Sequence, residues 1–252
     1  LRIATSGRPG PVVVEIPDDV FAAEWTGPAS APRTGGYPPS RTAPDPAALD
    51  RAVELLDGSR RPMLLVGGGA LSAGAGAGIR RLAERVGALV ATTLNGKGVL
   101  SEHHPLAVGP VGSFGVPPAN ALLAEADCVV LIGTKAGQGP TLTWTLPRPD
   151  TPIVHLDIDA TELGRNFPQT LGLECDAKLG VDALTAAVPA RDRDWDRERV
   201  RQLTEQWWHG DPDDAVDTGG AVKPQAVLRT LRSAMAEDDV LVTDASLSSG
   251  WG

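Results

Sequence analysis

The apolar residues of this chain fall into short unbroken runs, and between the runs apolar positions recur at helical spacing. Val12–Ile16 is apolar apart from Glu15. Met63–Val66, Ala88–Thr93, Cys128–Ile132 and Ile153–Asp157 have the same character, and Leu171–Leu173 is a shorter candidate. Runs without polar alternation suit strands covered on both faces. Ahead of the second run, Leu49, Ala52, Val53 and Leu56 follow Asp45-Pro46. Asp45 reads as an N-cap, Pro46 as the first helical residue and Gly58 as the stop. Ile79, Leu82, Ala83 and Val86 repeat the spacing and end at Gly87. Pro117-Pro118 open a helix carrying Leu122 and Leu123, and Ala177–Val188 closes the series. Strand alternating with helix at this pitch predicts an α/β domain: a parallel sheet with helices on both faces, similar to dinucleotide-binding folds.

The flanks lack this rhythm. Gly27–Pro46 is rich in Pro, Gly, Ser and Thr and reads as a semi-rigid linker. Ala73–Gly78 alternates Ala and Gly, which suits a weak helix start packed closely on the sheet. Arg191–Arg201 mixes both charges densely and precedes Trp207-Trp208. It predicts an exposed helix whose tryptophans pack on a neighbour. Asp211–Gly220 is an acidic second linker. Pro224 starts a helix with Val227, Leu228, Leu231 and Met235 on one side, and Val240–Thr243 reads as a strand. The expected division is 1–26, the end of one domain; 27–46, a linker; 47–190, the central α/β domain; 191–222, a charged helix and linker; and 223–252, the start of another domain. Leu1 and Gly252 both read as points inside a longer polypeptide.

Composition narrows the function classes. The 252 residues are 42% hydrophobic and 22% charged with a net charge of -9, ordinary for a globular protein and unfavourable for nucleic acid. No apolar run approaches the ~18 residues of a membrane span. Cys128 and Cys175 are far apart in sequence and suit two reduced, buried thiols. A reducing, cytoplasmic location is the expectation. His103, His104, His155 and His209 show no metal-ligand spacing, and neither a Walker loop nor a Gly-x-Ser-x-Gly elbow is present.

Three turns at predicted strand ends carry candidate chemistry. Gly67-Gly68-Gly69 follows a strand and precedes a helix, where bare N–H groups favour a pyrophosphate. The dinucleotide spacing is broken, because Ser72 stands at the third glycine position and Thr92-Thr93 where an acid belongs. A tight strand-to-helix turn explains the glycines equally well. Asp157-Ile158-Asp159 can accept from ribose hydroxyls at a sheet's C-terminal edge, or can cap the next helix through Asp159 or Thr161. Lys135, in Gly133-Thr134-Lys135, is either a phosphate partner or a solvated loop lysine.

Taken together, these segments resemble the thiamine-diphosphate-dependent enzymes of the acetolactate synthase group. Gly7–Val20 (Gly-Arg-Pro-Gly-Pro-Val-Val-Val-Glu-Ile-Pro-Asp-Asp-Val) looks like the end of that family's pyrimidine-binding domain. Arg61–Leu184 looks like its central domain, through Arg-Pro-Met-Leu-Leu-Val-Gly-Gly-Gly, Thr93-Leu-Asn-Gly-Lys-Gly, His104-Pro-Leu, Asn120-Ala, Glu125-Ala-Asp and His155-Leu-Asp-Ile-Asp. Lys223–Gly252 looks like the start of the diphosphate-binding domain, with Asp244 and Trp251 at the ends of its Asp…Trp motif.

The resemblance implies decarboxylation or carboligation of small 2-oxo acids with thiamine diphosphate and Mg²⁺, in a homodimer or homotetramer. The family's catalytic Glu and its Mg²⁺-binding motif have no counterpart in these residues. No catalytic or metal residue is therefore named, and the chain alone is expected to be inactive. The resemblance places FAD contacts at Gly68, Thr93, Leu94, Gly112 to Gly115 with Phe114, Gly133, Lys135, Asp157, Ile158, Asp176 and Ala177, and diphosphate contacts at Ser246, Leu247 and Ser248. Lys135 stands where the family has Arg, Phe114 where it has His, and Ser246 and Ser248 where Gly and His are common. Two other classes stay open: a flavin- or NAD-binding module of the electron-transfer-flavoprotein or sirtuin kind, and a structural spacer with an empty pocket.

Overall fold

The computed structural model describes residues 2–28, 40–209, 220, 222–236 and 238–242. Two short helices, α1 (Arg2–Thr5) and α2 (Asp18–Ala22), precede the main body. There α3 (Pro46–Gly58), β1 (Pro62–Val66), α4 (Gly68–Ser72), α5 (Gly76–Val86), β2 (Leu89–Thr92), β3 (Ala107–Pro110) and α6 (Pro117–Glu125) follow in turn. The chain continues through β4 (Cys128–Ile132), β5 (Ile153–Asp157), β6 (Thr170–Glu174), α7 (Ala177–Ala187), α8 (Arg197–His209) and α9 (Pro224–Ala234).

The six strands form one sheet in the order β3-β2-β1-β4-β5-β6, and every pairing is parallel. Every residue of β1, β2, β4 and β5 is buried. This explains the unbroken apolar runs, since neither face meets water. Helices α3, α5 and α7 pack together as one group, and α6 and α8 as another. Each fully buried Leu, Ile or Met contributes about 1.5–3 kcal/mol. The predicted cap is present: the Asp45 side chain accepts from Ala48 N–H at 3.0 Å, with Pro46 at the helix start. Gly87 ends α5 in the left-handed region, φ 62°.

The structure corrects several expectations. Val12–Ile16 is not a strand: it has no regular structure, and Val13 and Val14 are 84% and 77% exposed. A strand needs a ladder, and no described strand pairs with this stretch. Val240–Val242 is likewise exposed and irregular, and Thr243 lies outside the described residues. The apolar side of α9 is uncovered at Val227 and Leu231. The Ala-Gly stretch divides into the connection between α4 and α5, 73–75, and the start of α5. Gly76 approaches the backbone of Val99 and Gly78 the side chain of Val181 on α7 rather than the sheet, while Gly74 is open. The second linker, 211–220, lies outside the described residues except for Gly220.

The largest correction concerns 191–201. Only the part from Arg197 is helical, and Trp207 stays 46% exposed. The segment before it is exposed except for two side chains that act as a clamp, Arg193 and Trp195. Trp195 is 5% exposed and donates Nε1–H to Pro62 O at 2.9 Å. Arg193 donates to Val86 O, Asp57 O, Ser59 O and Leu56 O at 2.7–3.1 Å. These carbonyls close α3 and α5, whose last C=O groups have no partner within the helix.

Candidate functional site

The strand order crosses over between β1 and β4, so the chain leaves those two strands in opposite directions. That crevice is where doubly wound sheets bind ligands. Here it opens into a cleft of about 800 Å³, within the usual range for a small-molecule site. The turns after all six strands supply lining residues: Gly68, Thr93 with Leu94, Phe114, Gly133 with Lys135, Asp157 with Ile158, and Asp176 with Ala177.

Close approach of backbones explains the glycines on the floor. A Cβ on Gly67 would land on Gly133 O, and one on Gly69 would come within 2.9 Å of Gly133 Cα. Gly133 has φ 58°, and a Cβ there would strike Ala70 N. The β1 and β4 turns are thus pressed together, with Gly67 N–H donating to Ile132 O at 2.9 Å and Gly69 N–H to Gly133 O at 2.9 Å. Gly112 does not line the cleft. It exchanges hydrogen bonds of 2.7 and 3.1 Å with the Asn120 side chain, tying the β3 turn to α6.

The acids divide their roles. Asp159 accepts from Thr161 N–H and Oγ1–H at 3.0 and 2.6 Å, capping a short 3₁₀ turn. Those bonds, more than the nearby Arg8 and Lys135 charges, hold its carboxyl below the usual range. Asp157 is buried. Its Oδ1 accepts from Asp159 N–H at 3.0 Å, while Oδ2 takes no hydrogen bond among the described residues. Asp176 caps α7 through Leu179 N–H at 3.1 Å and pairs with Arg41 at 3.0 Å.

Glu162 is the acid that sequence reasoning missed. It is 4% exposed, yet it lines the cleft and faces three cations: Arg8 at 3.4 Å, Lys135 at 3.4 Å and Arg165 at 3.3 Å. Its two oxygens divide these cations, Oε1 facing Arg8 and Lys135 and Oε2 facing Arg165. Lys135 is exposed, as a loop lysine is expected to be, and its ammonium pairs with Glu162. Arg8 and Arg41 bring two further cations to the cleft wall. No local motif marks Arg8, Arg41 or Glu162, because their meeting spans more than a hundred residues. The loop after Gly133 has its own unsignalled geometry: Ala136, Leu142, Thr143 and Trp144 all adopt positive φ. Thr141 is the hub of that turn, donating to Gly137 O at 2.8 Å and accepting from Trp144 N–H at 3.0 Å.

Neither cysteine is a nucleophile. Cys128 and Cys175 are free and buried, and burial pushes both thiols up to about 12. His155 is buried beneath the cleft, with Nε2 2.8 Å from Thr134 O. Burial lowers its pKa, outweighing the Thr134 carbonyl and the Asp157 and Glu162 charges, which favour the cation. The unfolded chain therefore takes up this proton first, near pH 6.5. Stability is expected to fall as pH drops from about 6.5 toward the folded-state value, above the range in which the carboxylates titrate. His155→Gln keeps a donor for Thr134 O and should flatten the dependence of the urea midpoint between about pH 7 and 5. An unchanged slope in the variant would contradict this assignment.

Among the described residues, no group of His, Cys, Asp and Glu could hold a metal ion, and no helix is long and apolar enough to cross a membrane. Ser246, Leu247, Ser248, Asp244 and Trp251 lie outside the described residues.

Comparison with known proteins agrees with this architecture. The model for the central domain of thiamine pyrophosphate enzymes matches residues 49–184. The chain is 34% identical over 265 residues to a Methanocaldococcus jannaschii protein named probable acetolactate synthase large subunit, covering 99% of this chain and 44% of that one. It is 34% identical over 259 residues to the acetolactate synthase large subunit of Parasynechococcus marenigrum, covering 99% and 40%. An X-ray structure from Mycobacterium smegmatis, assigned to the thiamin diphosphate-dependent enzymes, superposes with a TM-score of 0.59. Its sequence identity is 25%, over 77% of this chain and 36% of that one. The chain thus spans less than half the length of these relatives.

Proposed function

Because this chain belongs to the thiamine pyrophosphate enzyme family, whose central domain it carries, we propose that it is the nucleotide-holding core of a carboligase or decarboxylase acting on small 2-oxo acids. The observation that carries the reading is the convergence of six strand-end turns on one cleft at the crossover of the sheet. Family membership supports the reaction class, and the names of the relatives point to condensation of 2-oxo acids.

The cleft is proposed to hold an adenine dinucleotide, with FAD as the first candidate. Its residues fit such a ligand. The uncommitted Asp157 Oδ2 can accept from ribose hydroxyls, Arg8 and Arg41 face the volume where a diphosphate would lie, and Leu94 and Phe114 offer exposed apolar surface for a ring system. Lys135 is the weaker phosphate partner because its ammonium is a point charge where a guanidinium is a planar fork; carboxylates hold all three cations, Glu162 for Arg8 and Lys135 and Asp176 for Arg41. Thiamine diphosphate with Mg²⁺, when bound, supplies a carbanion for attack on a 2-oxo acid carbonyl. The part proposed for this chain is to bind and orient: it fixes the strand-end turns and keeps the dinucleotide beside the catalytic domains. The full-length enzyme is proposed to act as a homodimer or homotetramer.

Titration calorimetry with FAD and ADP tests the cleft. Wild type should bind at least one of them. Asp157→Ala should weaken binding by roughly 1.5–3 kcal/mol through loss of a charge-assisted acceptor, and Lys135→Ala should weaken it less. If wild type gives no heat with either ligand at millimolar concentration, the cleft is a structural void and the spacer reading replaces this one. Purified full-length protein should also release CO₂ from pyruvate only when thiamine diphosphate and Mg²⁺ are both added, and loss of that dependence would remove the family chemistry.

A further inference from the structure

The cleft has one wall that does not come from the sheet. Thr5, Gly7, Arg8 and Pro9 line it, although they lie more than fifty residues before β1. The stretch that follows them is exposed through Val20, and Gly10 N–H donates to Ala4 O within the segment itself at 3.1 Å. Arg8 reaches across to the sheet. Its Nη1 lies 3.4 Å from Glu162 Oε1 and 3.8 Å from Asp159 Oδ2. The same Glu162 Oε1 holds Lys135 Nζ, and Oε2 holds Arg165. One carboxylate, itself 4% exposed, therefore ties the N-terminal segment, the β4 turn and the β5 turn together at the rim of the cleft.

We propose that Glu162 is a positioning residue that latches the N-terminal segment onto the cleft, so that ligand binding in the cleft and docking of that segment stabilise each other. The inference rests on the reading of the cleft as an anionic-nucleotide site and adds to it what occupancy does to the rest of the chain. A ligand in the cleft touches both walls, so it binds the docked arrangement better than the undocked one. Any such differential affinity shifts the equilibrium toward docking, and by linkage docking raises affinity by the same factor. Glu162 makes this coupling specific because it presents Arg8 and Lys135 on one side of the cleft. Without it the two cations repel each other, and nothing among the described residues orients Arg8 except the more distant Asp159.

Hydrogen exchange read by mass spectrometry tests this on the purified protein, with and without saturating FAD or ADP, alongside calorimetry. Ligand should slow exchange in peptides covering residues 6–23 by about fivefold or more, while peptides over β1 and β4 change little. Without ligand, Glu162→Gln and Arg8→Ala should both speed exchange in 6–23 and leave β1 and β4 protected. Arg8 is half exposed, so its replacement leaves the core intact even if Glu162→Gln unsettles the β5 turn. In both variants the ligand-induced slowing should shrink, and affinity should fall by a matching factor. Heat of binding without slowing in 6–23 overturns the latch and leaves the nucleotide site standing. Absence of heat with either ligand overturns the site, and the coupling with it. Slowing that persists undiminished in both variants assigns the coupling to other contacts and removes Glu162 from it.

Discussion

Replacing Arg193 by alanine is expected to destabilise the protein by about 3 kcal/mol or more, the largest loss from any single side chain outside the apolar core. The guanidinium is 5% exposed and donates to four carbonyls, three at the end of α3 and one at the end of α5. Hydrogen bonds from a charged donor contribute about 1.5–3 kcal/mol each, and removing the donor strands acceptors that have little access to water. Arg193→Lys should recover less than half of the loss, because an ammonium cannot span the four acceptors as a planar fork does. Urea midpoints measured in low and high salt separate this clamp from the exposed Arg191–Asp57 pair beside it. Arg193→Ala should lose the same stability in both, while Arg191→Ala should lose far less, and less still in high salt. A stability for Arg193→Ala within about 1 kcal/mol of wild type in urea would show that the segment before α8 is not a clamp.

Gly133→Ala is expected to cost about 3 kcal/mol and to abolish the nucleotide binding proposed for the cleft. Part of the cost is the left-handed backbone at φ 58°, which an L side chain resists by about 1–2 kcal/mol. The rest is steric: the new Cβ would meet Ala70 N and lie 2.7 Å from Gly69 C, and backbone atoms cannot step aside as a side-chain tip can. The β4 turn would lift off the β1 turn and take Lys135 and the cleft floor with it. Gly137→Ala is the control. Gly137 also lines the cleft, but an added Cβ there meets nothing within 4 Å, so stability should change by less than about 0.5 kcal/mol. Equal stability of the two variants in thermal unfolding would refute the close-packed floor.

Most of the central domain could be read from local pattern. Strand runs, helical spacing, the Asp45-Pro46 start and the Gly87 stop depend on residues near one another in sequence, and each appears where the pattern places it. The strand-end positions 68, 93, 133 and 157 were also legible, because a parallel sheet delivers its C-terminal turns to one edge, while 176 came from the family resemblance. Pattern failed where a partner was needed from far away. Val12–Ile16 and Val240–Val242 have the composition of strands, but a strand exists only through its ladder, and none of the described strands pairs with them. Arg193 and Trp195 sit in a sequence that looks solvated, yet their side chains are covered because their acceptors lie more than a hundred residues away, at the ends of α3 and α5 for Arg193 and at Pro62 of β1 for Trp195. Lys135 read first as a solvated loop lysine and second as a phosphate partner, and nothing local announced that Glu162 would stand beside it. By itself, then, the amino-acid sequence determined the α/β alternation, the helix ends and the edge of the sheet that bears the cleft, since short-range sterics and burial periodicity suffice for these. The tertiary structure alone decided which charges meet. The Arg8–Glu162–Lys135 and Arg41–Asp176 groupings follow from how loops distant in sequence fold over a common edge, and charge pairing over such distances leaves no local trace in a sequence.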